Sequence, residues 1–145
     1  MTNRAEAERL TDDASTLQEC GDALGAERAY LAALSADPEW SATHYNLGLL
    51  CKYQLRWEES FAHNARAVEL APDDEAANWN LGIAATALQR WAEARRAWTA
   101  CGIDGPPGEG PPEFAWGHTP VRLDPATAGE VVWGKRLDPA RARIV

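Results

Sequence analysis

Lysine is scarce in this chain: Lys52 and Lys135 stand against twelve arginines. The formal net charge is −8 over 145 residues. Nucleic acid and anionic membrane surfaces both require a basic face, so neither is an expected partner. Long apolar runs are missing too. Nothing approaches the roughly 20 apolar residues of a membrane span, and the opening MTNRAEAERL reads as neither secretory signal nor anchor. Cysteine is limited to Cys20, Cys51 and Cys101, far apart and without a CxxC pair. That pattern suits a reducing cytosol rather than a disulfide framework, and the expected location is cytoplasmic.

Catalytic signatures are absent as well. The three histidines, His44, His63 and His118, have no metal-ligand spacing to a cysteine, a carboxylate or one another. There is no GxSxG, no HExxH and no phosphate-cradling glycine loop, since the one Gly-rich stretch is broken by prolines that offer no N–H. The acidic pairs Asp12-Asp13, Glu58-Glu59 and Asp73-Asp74 are adjacent, so on a helix their side chains diverge. The chain is expected to be no enzyme and to need no cofactor or metal.

What is present is alanine. The hydrophobic fraction is 46%, and its Ala-rich character suits closely packed helices better than sheets. A chain of this length buries about two-thirds of its unfolded surface and folds without a metal or disulfide. The charge is uneven: residues 1–40 carry nine acids and three arginines, whereas 121–145 carry five bases and three acids. The abundance of Arg, Ala, Gly and Pro is associated with GC-rich bacterial genomes.

The chain repeats itself. Asn46-Leu47-Gly48 recurs as Asn80-Leu81-Gly82, Trp57 as Trp91 and Pro72 as Pro106, all at one constant spacing. A weaker copy over 7–40 places Gly21, Ala26, Tyr30, Ala33 and Pro38 in the same register. The units are 7–40, 41–74 and 75–108. This pattern resembles the tetratricopeptide repeat family, whose unit of about 34 residues forms two antiparallel helices. Repeat two supplies His44, Leu47, Gly48, Ser60, Ala67 and Pro72 at the family's positions. Repeat three supplies Leu81, Gly82, Ala94, Trp98, Cys101 and Pro106, and repeat one Leu10, Leu17, Ala26, Tyr30, Ala33 and Pro38. Repeat one departs at Asp13 and Ala14, where the family has Leu-Gly, as terminal repeats do.

Physical reasons accompany the pattern. Gly48 and Gly82 fall in mid-helix, where glycine costs about 1 kcal/mol relative to alanine; a neighbouring helix approaching closely accounts for both. Each proline ends a helix. Helices are therefore predicted at 3–20, 23–36, 41–54, 58–70, 75–88 and 92–101. The predicted fold class is all-α: three helix-turn-helix repeats in a right-handed stack. A repeat domain over 1–104 precedes a Pro/Gly-rich linker, 105–120, and a short β-containing tail, 121–145. Strand candidates in the tail are 121–123 and 130–137, with alternation from Arg141 to the end.

The resemblance implies a concave groove lined by the first helix of each repeat. Its positions fall on Glu8, Thr11, Ser15, Gln18 and Glu19 in repeat one, Ala42, Tyr45, Leu49, Lys52 and Tyr53 in repeat two, and Ala76, Trp79, Ile83, Thr86 and Ala87 in repeat three. Tyr45, Leu49, Lys52, Tyr53, Trp79, Ile83 and Thr86 are the expected partner-binding residues. Aromatics at these positions are not demanded by packing and suit a peptide or helix, and Lys52 is the one base there. The family's carboxylate clamp is not matched, because Thr11, Ala76 and Asn80 occupy basic or amide positions and only Asn46 agrees. The acidic edge of Glu8, Asp12, Asp13 and Glu19 favours a basic or neutral ligand. The resemblance thus implies a protein–protein interaction scaffold that binds a peptide or protein. Two alternatives are a self-associating module, dimerising through its groove or tail strands, and the recognition part of a longer protein with its activity beyond residue 145.

Overall fold

The computed structural model describes residues 1–102 and, farther on, the backbone of three short strands. Six helices alternate with tight turns: α1 (Arg4–Glu19), α2 (Ala23–Ala36), α3 (Ser41–Tyr53), α4 (Trp57–Leu70), α5 (Glu75–Ala87) and α6 (Trp91–Ala100). They pair as three hairpins, α1 with α2, α3 with α4 and α5 with α6. Each predicted helix is present, within one residue at either end.

Start signals come from short polar side chains where the sequence supplies them. Asn3 accepts a hydrogen bond from the Glu6 N–H, Asp22 from Gly25 and Asp74 from Ala77, each satisfying a first-turn donor. The α3, α4 and α6 helices begin after Trp40, Arg56 and Arg90, with no side-chain cap. The stops of α1, α3 and α5 share one device. Gly21, Leu55 and Gln89 adopt φ of 85°, 59° and 58°, and each stands one full repeat after the last. After each, a backbone N–H reaches back five residues: Asp22 to Leu17, Arg56 to Cys51 and Arg90 to Ala85. This left-handed cap closes the helix carbonyls and reverses the chain. Only glycine takes that conformation without cost. Leu55→Gly, at an exposed position, relieves left-handed strain of roughly 1–2 kcal/mol at an entropic cost of about 0.4–1 kcal/mol, and is therefore expected to raise stability by about 0.5–1 kcal/mol, read as a higher urea midpoint at unchanged m-value.

Two compact units divide the chain, Met1–Pro72 and Asp73–Val145. In the first, α3 packs on both α1 and α2, around a core of Ala14, Ala26, Tyr30, Leu47 and Leu50. The two hairpins are also tied by charge: Arg56, opening α4, binds Glu27 on α2 and Glu59 one turn ahead. Ser60 donates to the Gly48 carbonyl at 2.8 Å, so α3 and α4 are bonded where the glycine lets them approach.

In the second unit, α5 and α6 close over Trp98, Ile83, Ala84, Ala94 and Ala97, all buried. A Cβ on Gly82 would fall 2.8 Å from the Trp98 indole. Cys101, also buried, donates from Sγ to the Glu75 carbonyl at 3.6 Å. Three antiparallel strands, β1 (Glu113–Trp116), β2 (Thr119–Arg122) and β3 (Ala142–Ile144), follow in the order β2-β1-β3. Phe114 pairs with Val121 on one side and Ile144 on the other. The strand β1 falls within 105–120, which composition alone reads as a linker without regular structure. The candidate strand at 130–137 lies outside the described residues.

Candidate functional site

The helices of the first unit leave a cleft of about 380 Å³ between α1, α2 and α3. Ser15, Gln18 and Glu19 line it from α1, and Asn46, Leu49 and Tyr53 from α3. Spacings of three and four residues put each trio on one helical face. Tyr30 of α2 forms the floor. Its ring is buried, and its hydroxyl donates to Gln18 Oε1 at 3.1 Å with Ser15 Oγ also at 3.1 Å. Burial pushes the Tyr30 phenol up from its ordinary value, so it stays protonated and remains a donor to the cleft wall. Tyr53 stands at the mouth, 61% exposed.

The expected binding residues do not share one environment. Leu49 and Tyr53 line the cleft, and Tyr45 is half-buried on the same helix. Lys52 is buried, with only 6% of its surface accessible. Desolvation lowers its ammonium to about 8, and Nζ lies 5.2 Å from the Tyr53 ring centre. The expectation of an exposed base on the groove is thus corrected: a lysine drawn out of solvent is a poor anchor for an acidic ligand.

In the second unit the same correction applies to Ile83 and Thr86, both at 0% exposure. The α5 helix is buried almost all round, from Ala77 and Asn78 to Thr86, so a helical stripe there does not mark a surface. Thr86 Oγ1 donates to the Gly82 carbonyl at 2.7 Å and accepts from Trp98 Nε1 at 3.3 Å. Trp79 is half-buried and meets Trp98 edge to face, centroids 5.0 Å apart. Part of its aromatic surface is therefore spent within its own hairpin.

No protein-family model matches the chain, and no curated protein does. Solved structures do. The second repeat domain of Spaghetti (RPAP3), bound to the HSP90 peptide SRMEEVD, superposes with a TM-score of 0.64 at 20% identity, covering 68% of this chain and 92% of that one. The fold is the tetratricopeptide repeat. The TPR2AB domain of yeast Sti1, in a complex with pHSP90, gives 0.62 at 21% identity over 69% of this chain and 39% of that chain. A mutant O-GlcNAc transferase of Thermobaculum terrenum gives 0.61 at 28% identity, over 70% of this chain but 20% of that one.

The tetratricopeptide register can be laid over the cleft residue by residue. Ser15, Gln18, Glu19, Leu49 and Tyr53 are groove positions and line the cleft. The repeat register assigns Tyr30 to the core, and it is both core and floor. Asn46 fills the one clamp-like position that agrees with the carboxylate-binding type. Thr11, where a clamp base would stand, is buried and hydrogen-bonded to Thr43 at 2.8 Å. Asn80 is buried as well.

Proposed function

We propose that this chain is a protein–protein interaction module that receives a neutral or basic peptide segment in the cleft between α1 and α3. The observation that carries the reading is the lining itself. Leu49 and the exposed Tyr53 offer apolar area, Gln18, Asn46 and Ser15 offer hydrogen bonds, and Glu19 is the charged group. An aromatic anchor at the edge of a small pocket, ringed by polar groups, is the composition of a recognition hot spot. Two of the structural neighbours hold HSP90 ligands in the same fold, which supports a peptide as the kind of partner. The peptide held by the RPAP3 domain, SRMEEVD, is acidic at its end. With Lys52 buried and Thr11 engaged, this cleft favours the opposite charge.

A cytoplasmic setting goes with the reading, supported by the unpaired thiols Cys51 and Cys101. So does a binding rather than a catalytic role. The test is fluorescence anisotropy with two short peptide sets of equal apolar content, one ending in acids and one carrying arginines. The basic set is expected to bind, and Tyr53→Ala to weaken it at least tenfold, about 1.4 kcal/mol. Preference for the acidic set, or binding indifferent to both Tyr53→Ala and Leu49→Ala, overturns the proposal.

A second reading is self-association, favoured by Leu24 and Leu31, both exposed and seven residues apart on one face of α2. Light scattering separates the two. A monomer at tens of micromolar leaves peptide recognition standing, and a dimer broken by Leu31→Glu puts assembly first.

A further inference from the structure

Two histidines from different helices aim the same ring atom at each other. His44 on α3 and His63 on α4 have their Nδ1 atoms 3.5 Å apart, with ring centroids 5.7 Å apart and planes inclined by 37°. The other nitrogen of His44, Nε2, lies 2.9 Å from the Pro38 carbonyl oxygen. A carbonyl only accepts, so in a neutral His44 ring the hydrogen sits on Nε2. Nδ1 is left with its lone pair directed at His63, whose Nδ1–H donates to it while the site is empty; a metal ion takes the place of that hydrogen, which passes to His63 Nε2.

We propose that His44 and His63 form an open two-nitrogen site for a divalent transition-metal ion of the zinc or copper class, held between α3 and α4. The lengths fit. Two nitrogens 3.5 Å apart, each bonded at about 2.0–2.1 Å, subtend about 113–122° at the metal, near the tetrahedral value. Imidazole is the donor such ions prefer. The Pro38 carbonyl supplies what a metal-bound histidine ordinarily has, an acceptor on the opposite nitrogen that fixes tautomer and ring orientation.

The charge around the rings is mixed. Burial, His44 and Arg56 oppose positive charge at His63, while Glu59 and Glu27 favour it. Arg56 binds both carboxylates, and two acids against one guanidinium leave one negative charge in surplus beside the pair. Among the described residues no third His, Cys, Asp or Glu joins to make a closed cage. Water completes the coordination, so the ion is exchangeable and bound more weakly than in a four-ligand structural site.

The test uses the whole chain and copper(II) chloride in a non-coordinating buffer near pH 7.5. Electron paramagnetic resonance should show one equivalent bound with splitting from two imidazole nitrogens. His44→Asn and His63→Asn should each weaken binding at least tenfold, the least that even losing an outer-shell partner does. His118→Asn should change nothing. Circular dichroism checks that each variant folds. If one does not, zinc titration of the wild type followed by imidazole nitrogen resonances decides, with the Nδ1 signals of His44 and His63 expected to shift together. Binding that survives both asparagine variants, zinc shifts confined to His118, or no binding below millimolar copper overturns the proposal.

Discussion

Gly82→Ala is expected to destabilise the protein by about 2 kcal/mol, although alanine is the better helix former. In an exposed helix the exchange gains about 1 kcal/mol. Here the new methyl would lie 2.8–2.9 Å from three atoms of the Trp98 indole. The indole is wholly buried and packed edge-on by Trp79, so it has no exposed direction in which to retreat. Overpacking a tight core costs about 1–3 kcal/mol, and the upper end of that range, less the propensity gain, leaves the stated loss. Urea denaturation of Gly82→Ala, alone and with Trp98→Leu, measures it. The smaller partner should absorb most of the penalty, making the pair strongly non-additive. An additive double variant would show that Gly82 is not there for Trp98.

Asn64→Leu is expected to act the other way and stabilise the chain by about 1–2 kcal/mol. Asn64 occupies the place that Tyr30 and Trp98 hold in the repeats on either side. It is wholly buried. Its Nδ2 donates to the Ser60 carbonyl and hydroxyl, while Oδ1 is buried with no hydrogen-bond partner. Leucine has the same number and branching of heavy atoms. It removes the stranded oxygen, and Ser60 keeps its bond to Gly48. Removing a buried acceptor that lacks a partner recovers its desolvation cost of about 1–3 kcal/mol, less the contribution of the two Nδ2 bonds that go with it. A thermal melt at equal concentration checks the sign. A lowered midpoint would mean that the amide is satisfied in solution.

The helices were legible because two independent signals coincide at one period. Prolines and Leu-Gly pairs mark where helices stop and where they touch, and both recur at the same interval along the chain. The turn conformation was half legible. Gly21 announces a left-handed residue, but Leu55 and Gln89 take the same φ with side chains that give no hint of it. Their conformation is imposed by the helices on either side, which the repeat as a whole specifies.

The candidate site divides along the same line. Groove positions in α1 and α3 could be read, since a family register fixes which face they occupy. Whether a face is covered could not be. Ile83 sits in register with Leu49, yet it is buried where Leu49 lines the cleft, because burial depends on what else packs there rather than on the helix itself. Lys52 shows the same limit, as nothing local distinguishes a lysine at a surface from one drawn beneath it. The meeting of His44 and His63 escaped a search by spacing because they lie on separate helices, 19 residues apart. Only the crossing of α3 and α4 brings them together.

The three cysteines make the chain its own clock. Cys20 is exposed, so a thiol reagent modifies it at once, whereas Cys51 and Cys101 are buried. Burial pushes their thiols up to about 11 and about 12, and the reactive thiolate is suppressed along with access. Each sits in a different hairpin, Cys51 in α3 and Cys101 at the end of α6. With Cys20 blocked first, the rates at which the other two react measure how often each repeat opens on its own. A protein cut from nearly equal pieces thus reports whether those pieces breathe together or one at a time.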